Sequence, residues 1–404
     1  MTVSTPNRPT QCNKPVDNAN TQACGFSAID ADRHIIETEQ LWREILPPAL
    51  YQSCQFETVD DTPHAMLGRI QRLGNAGATL LPTEQKLKGQ PLLNNWGEPQ
   101  RLTSTQAWSS KLAAVQQATT PSGQLASMDE GEIGTAHLFP TYGGLVINNQ
   151  FLSSAESVAI AKAYNTWLYD YCRANPQRLR AVGVISRHAP EQMLSQLQQV
   201  IDFGWRSITL RPEPIAGRTL GHKDYEPFWA ACAQQGIAIA FHGGTHLQGS
   251  TVGIGRFNTR FALHACSHLM EAQMAFLALL EGGVLERHPT LKVAFLEAGA
   301  GWLPSWLWRL DNLCYKNLPG ELKGVLSMLP SDYFKRQCWI GFEPDEPGLR
   351  EVVNTIGAER LLFGTDFPHP DHDSPASPAA TCKHLFNQTE LKAVLETNPQ
   401  VFFG

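Results

Sequence analysis

The sequence predicts an α/β chain folded as a (β/α)8 TIM-type barrel with a long insertion after the first strand. Short apolar runs alternate with amphipathic helices from Gly131 onward, the pattern of a parallel sheet. Counting the run around Ile29 there are eight of them, the number that closes such a barrel. Polar residues able to bind a metal end nearly every C-terminal run, where these barrels carry their sites. A doubly wound open sheet is the competing arrangement. No GxGxxG follows the first strand, so a nucleotide-binding sheet has little support.

The first 26 residues are polar and carry no apolar segment, so 1–26 reads as a tail and not as a signal peptide. Residues 27–404 read as one barrel domain. Leu41–Leu46 suggests a short helix stopped by Pro47-Pro48. Residues 51–125 lose periodicity and are rich in turn residues, which predicts a lid-like or surface insertion. Strands are expected at Ile133–Pro140, Leu179–Ile185, Ser207–Leu210, Ile237–His242, Leu291–Leu296, Cys338–Phe342 and Leu361–Gly364. Between them, helices are expected at Ala155–Arg173, Glu191–Phe203, Tyr225–Gln235, His268–Leu280, Trp302–Leu313 and Glu346–Ile356, with Thr389–Thr397 closing the chain.

Composition narrows the function. The chain has 404 residues, 42% of them hydrophobic, and a formal charge of −6 without a Lys/Arg run, which argues against nucleic acid as a partner. No apolar run approaches the roughly 18 residues of a membrane span. Nine widely spaced cysteines without a CxxC pair predict buried thiols in a reducing, cytoplasmic compartment. A small-molecule substrate is the expected partner.

Residues two apart on a strand share a side, so Asp32 and His34 project together from the end of the first strand. Arg211-Pro212-Glu213 follows the fourth run, and His242 through His246 the fifth. Glu297 follows the sixth, Glu343 the seventh, and Asp366 through His369 the eighth. Imidazole with carboxylate suits one divalent ion such as Zn, Fe or Mn. Asp366 fits either ligation or proton transfer. Other readings stand beside these. Glu297 either joins the site or caps the helix after it, and Glu343 is equally open. Arg211 either pairs with Glu213 or, like His246 and His369, meets substrate. His264 and His268 either simply pack at the start of the following helix or send one of their rings to the site, and His137 is a candidate pocket residue.

These pieces resemble the amidohydrolase superfamily, in the branch of aminocarboxymuconate-semialdehyde and resorcylate decarboxylases. The matching stretches are IDADRHIIE (29–37), ALHACSHLMEAQM (262–274), GGVLERHPTLKVAFLEAGAGWLP (282–304), FEPDE (342–346) and ERLLFGTDFPHPD (359–371). The resemblance implies a distorted barrel with one metal ion held by Asp32, His34, His242 and Asp366, and a homodimer. The family's decarboxylases end the sixth strand with histidine, where this chain has Glu297, and the fourth strand here has no lysine. A carbamylated-lysine bridge between two metals is therefore ruled out and one ion is the default, while a second ion bridged by Glu297, Glu343 or Glu213 stays open. The expectation is a metal-dependent hydrolase of an amide, lactone, ester or thioester, with Asp366, Glu297 and His264 as catalytic residues. The alternative is a metal-dependent, non-oxidative decarboxylase of an aromatic or unsaturated acid, and a non-catalytic binding barrel is a third reading.

Overall fold

The computed structural model describes residues 27–38, 40–54, 57–58, 85–91, 112–243, 251–257, 260–369 and 377–404. Eight parallel strands carry the fold: β1 (Ala28–Ile35), β2 (Ile133–Pro140), β3 (Leu179–Ala181 continued by Gly183–Val184), β4 (Ser207–Leu210), β5 (Ala238–His242), β6 (Val293–Leu296), β7 (Cys338–Phe342) and β8 (Leu361–Phe363). They pair in sequence order, and β3 is interrupted at Val182, whose N–H donates to Leu138 O at 3.2 Å. The chain just past β8 returns to β1: His34 N–H donates to Phe367 O (2.8 Å) and Asp366 N–H to Asp32 O (2.9 Å). The strand order thus runs round to its start, the TIM-type arrangement expected.

Strand alternation sorts the side chains into two cores. Ile239, Phe241, Val293, Phe295, Ile340 and Phe363 face outward, into the layer beneath the helices. Ala238, Ala240, Ala294, Leu296 and Leu362 face inward. The small inward residues leave room for Phe402 and Phe403 on the last helix, Asn398–Phe403. That helix is tied to the N-terminal ends of the strands by Lys292 Nζ to Val401 O (3.0 Å) and Asn398 Nδ2 to Leu361 O (2.8 Å). It closes the barrel floor, so the open end is the one formed by the strands' C-termini. There β5 turns an inward Ala238, Ala240, His242 series toward the mouth.

Helix bounds follow local chemistry. The helix Ser154–Cys172 starts at a Ser153/Glu156 capping box. The helix after β5 runs Arg260–Glu281, two turns longer at its start than its apolar periodicity suggested. That before β8 begins at Leu349, because Pro347-Gly348 cannot extend it backward. Pro48 does not end structure, as expected, but starts a second short helix, Pro48–Cys54, where its missing N–H costs nothing. Of the 51–125 insertion, the end of the helix Pro48–Cys54, a small antiparallel sheet (Glu57–Thr58, Gln85–Leu87, Gln90–Pro91) and the helices Leu112–Ala118 and Pro121–Glu130 are described, and 55–56, 59–84 and 92–111 lie outside the described residues. Cys54, Cys172, Cys232, Cys266, Cys338 and Cys382 are buried thiols. Among the described residues no helix is long and apolar enough to cross a membrane.

Candidate metal centre

At the C-terminal mouth the expected pair comes together: His34 Nε2 lies 3.4 Å from Asp32 Oδ1. β5 adds His242, whose Nε2 is 3.0 Å from His34 Nε2 and 3.2 Å from Asp32 Oδ1. Past β8, Asp366 Oδ1 is 3.2 Å from His34 Nε2. All four side chains are buried.

The ring protons decide what this cluster can be. His34 Nδ1 donates to Pro140 O at 3.1 Å and His242 Nδ1 donates to Gly243 O at 3.2 Å. With the rings neutral, the form a bound cation requires, both Nε2 atoms present lone pairs, and both face carboxylate oxygens. Asp32 Oδ1, His242 Nε2 and Asp366 Oδ1 all lie 3.0–3.4 Å from His34 Nε2, and acceptors gathered so closely repel unless a cation sits among them. Tethering the far ring nitrogen to a carbonyl is the usual way a metal-binding histidine is oriented. The donor set, two imidazoles and two carboxylates, suits a divalent ion. The field agrees. Burial raises Asp32, yet His242 and His34 outweigh it and bring its pKa down to about 2. Burial opposes charge on His34, yet Asp32 and Asp366 hold it well above the ordinary imidazole value. The pocket favours added positive charge.

The backbone under these residues is built for close approach. A Cβ on Gly364 would lie 2.5 Å from Asp32 Cβ, so β8 can pass behind Asp32 only as glycine. Glu297 (φ 50°) and Asp366 (φ 49°) both occupy the left-handed region, which non-glycine residues enter at a cost of about 1–2 kcal/mol. Such strain gathers at functional sites. Beneath the centre, Asp30 accepts from Thr365 N (2.9 Å) and Thr365 Oγ1 (2.6 Å) and tacks β1 to the end of β8. Buried Arg33 pairs with Asp30 (3.4 Å) and Ser127 and donates from Nε to Gln124 Oε1 (2.7 Å). Gln124 Nε2 in turn donates to His34 O at 2.7 Å.

The remaining expected residues fall into place differently. Glu297 is in the cluster, with Oε2 3.2 Å from His242 Nε2. His268 reaches it: His268 Nδ1 donates to Glu297 O at 2.9 Å, and His264 packs against His268 one helical turn away. Glu343 lines a cleft with Asp32, Glu297, Gly364 and Asp366. His369 acts on a protein group: its Nδ1 donates to Asp366 Oδ1 at 2.8 Å, and its Nε2 accepts from Thr141 Oγ1 at 3.1 Å. Arg211 is engaged by protein, with Nε and Nη2 forked on Glu213 at 3.1 and 2.5 Å and Nη1 on Gly243 O. His137 stacks on Phe403 at the floor, away from the mouth. His246 lies outside the described residues. Sequence reasoning missed Gln124, Thr141 and the Asp30–Arg33 pair. An offset of three is not a strand spacing, and it works here because the β1–β2 register shifts between Asp30 and Arg33.

The chain is 22% identical over 250 residues to the 2-amino-3-carboxymuconate-6-semialdehyde decarboxylase of Dictyostelium discoideum, covering 62% of this chain and 67% of that one. Further relatives are gamma-resorcylate and 6-methylsalicylic acid decarboxylases. Among solved structures, an amidohydrolase from Mycobacterium avium subsp. paratuberculosis superposes with a TM-score of 0.72 at 20% identity, over 94% of this chain and all of its own. A dihydroxybenzoic acid decarboxylase from Polaromonas sp. JS666, holding manganese and 2-nitroresorcinol, gives 0.60 at 16%, over 93% and 96% of the two chains. The expectation of a hydrolase is thereby corrected, because these curated relatives are decarboxylases. The donor set could not make that distinction, since one ion can polarise a carbonyl or chelate a carboxylate equally well. The family profile described as Amidohydrolase matches residues 29–404, and the chain belongs to that family.

Proposed function

We propose that this enzyme is a metal-dependent, non-oxidative decarboxylase of a hydroxylated aromatic or related unsaturated carboxylic acid. The observation that carries the reading is the set of four converging acceptors, His34 Nε2, His242 Nε2, Asp32 Oδ1 and Asp366 Oδ1, in a chain whose curated relatives remove carboxyl groups. Asp32, His34, His242 and Asp366 would hold one divalent ion, with manganese the first candidate from the Polaromonas neighbour. When bound, the ion supplies a chelating point for the substrate carboxylate and an adjacent hydroxyl.

The protein's own groups account for the proton. Asp366 lies beside the donors, and burial raises its pKa while His369 and His34 bring it well below the ordinary carboxylate value. It therefore starts as a carboxylate and takes the proton of the adjacent substrate hydroxyl. It passes that proton to the ring carbon bearing the carboxylate. The carbon–carbon bond then breaks, its electron pair returns to the ring, and carbon dioxide leaves. The phenolate regains a proton from solvent. His369, anchored on Thr141, holds Asp366 Oδ1 in place throughout.

The test is carbon dioxide release by manganese-loaded protein from hydroxybenzoates. Release is expected in the wild type, and Asp366→Asn should lower it by about 100-fold or more, the scale of a lost proton-transfer group. Absence of carbon dioxide across the panel, with acid released from esters or lactones instead, would contradict the reading.

A further inference from the structure

One buried polar atom beside the centre has no partner among the described residues: Nε2 of His268. The ring that carries it is fixed. Nδ1 lies 2.9 Å from the carbonyl oxygen of Glu297 and 3.3 Å from its Oε1. Both are acceptors, so Nδ1 bears the hydrogen, and Nε2 of the neutral ring presents its lone pair. His264 stands nearly edge-on to it, ring centroids 5.4 Å apart at 70°, and resists rotation of the ring. The side chain is 12% exposed. Glu297 links it to the centre, because the other carboxylate oxygen meets His242 Nε2 at 3.2 Å. A buried acceptor is normally met, and one held rigid without a partner marks a place for a ligand's donor.

We propose that His268 reads the substrate: its Nε2 accepts a hydrogen bond from a second ring hydroxyl, one that does not chelate the metal. This rests on the decarboxylase reading and gives it a residue that discriminates among hydroxylated acids. A carboxylate is the wrong chemistry at this point, since the lone pair and the adjacent Glu297 both repel it. A neutral donor is what the atom lacks. Arg211, the residue expected to clamp a carboxylate, is forked on Glu213 and leaves recognition to neutral groups such as this one.

The experiment compares 2-hydroxybenzoate with the four dihydroxybenzoates that keep the 2-hydroxyl, by calorimetric binding to manganese-loaded wild type, His268→Gln and His268→Phe, alongside carbon dioxide release. At least one dihydroxybenzoate should bind wild type about tenfold or more tightly than 2-hydroxybenzoate, since a site built around a hydroxyl discriminates strongly against its absence. His268→Phe should erase that gain, so that the dihydroxybenzoate binds it no more tightly than 2-hydroxybenzoate does. His268→Gln, whose amide oxygen can still accept, should keep part of it. Should His268→Phe fail to fold or load metal, His268→Ala carries the same comparison. Equal affinity across the panel in wild type, or a gain undiminished without the imidazole, overturns the assignment. If 2-hydroxybenzoate loses carbon dioxide yet no isomer gains affinity, His268 alone is misassigned. If nothing binds and no carbon dioxide appears, the decarboxylase reading falls with it.

Discussion

Gly364→Ala should cost the protein its metal before it costs the fold. The added methyl would lie 2.5 Å from Asp32 Cβ and 3.3 Å from Asp32 Cα and N. Ordinary carbon–carbon contact is about 3.5–4.0 Å, so the two strands must part by roughly 1 Å. Asp32 moves with its own Cβ, and donor distances tolerate only about ±0.2 Å. A displaced or badly supported donor weakens metal affinity by about 10–100-fold, or about 1.4–2.7 kcal/mol. Overpacking adds about 1–3 kcal/mol of global destabilisation. Manganese titration against a competing chelator measures the first quantity, and urea unfolding of the metal-stripped protein the second. Gly320→Ala, where a Cβ meets nothing within 4 Å, is the control. Wild-type metal affinity in Gly364→Ala would refute the argument that Asp32 is held by close passage of β8.

Two further outcomes follow from groups away from the metal. Glu271 is buried, and burial, reinforced by Glu213 and only partly offset by Val252 N, Arg211 and Arg187, raises its pKa from 4.5 to about 7. A raised carboxyl adds stability that is complete below pH 4.5 and lost as pH rises through about 7. The unfolding free energy of wild type should therefore fall more between pH 5 and 8 than that of Glu271→Gln, and parallel curves would exclude the effect. Phe402→Ala, which empties the barrel floor, should lower unfolding free energy by about 3–5 kcal/mol in denaturant titration while leaving metal affinity unchanged. A loss of metal in step with stability would show that floor and mouth are coupled.

Much of this was legible in the chain because strand periodicity is local. Ile133–Pro140, Ser207–Leu210 and Cys338–Phe342 begin and end where the apolar runs do. The two-residue spacing that aligns Asp32 with His34 is equally local, and so is the run that delivers His242. What failed depended on three-dimensional neighbours. His264 and His268 lie on one helix a turn apart, and periodicity cannot say which faces Glu297. The engagement of Arg211 depends on the angle at which Glu213 returns toward it. Asp30 and Arg33 meet only through an irregular register. The chemistry was harder still: one donor set serves hydrolysis and decarboxylation alike, and the correction came from the relatives, not from the residues.

The central claim is that one divalent ion sits among His34, His242, Asp32 and Asp366. Crystals grown with manganese and measured for anomalous scattering test it directly. One strong peak per chain, in contact with the Nε2 atoms of His34 and His242 and with both aspartates, is the predicted result. A peak elsewhere, or two peaks bridged by Glu297 or Glu343, would contradict it.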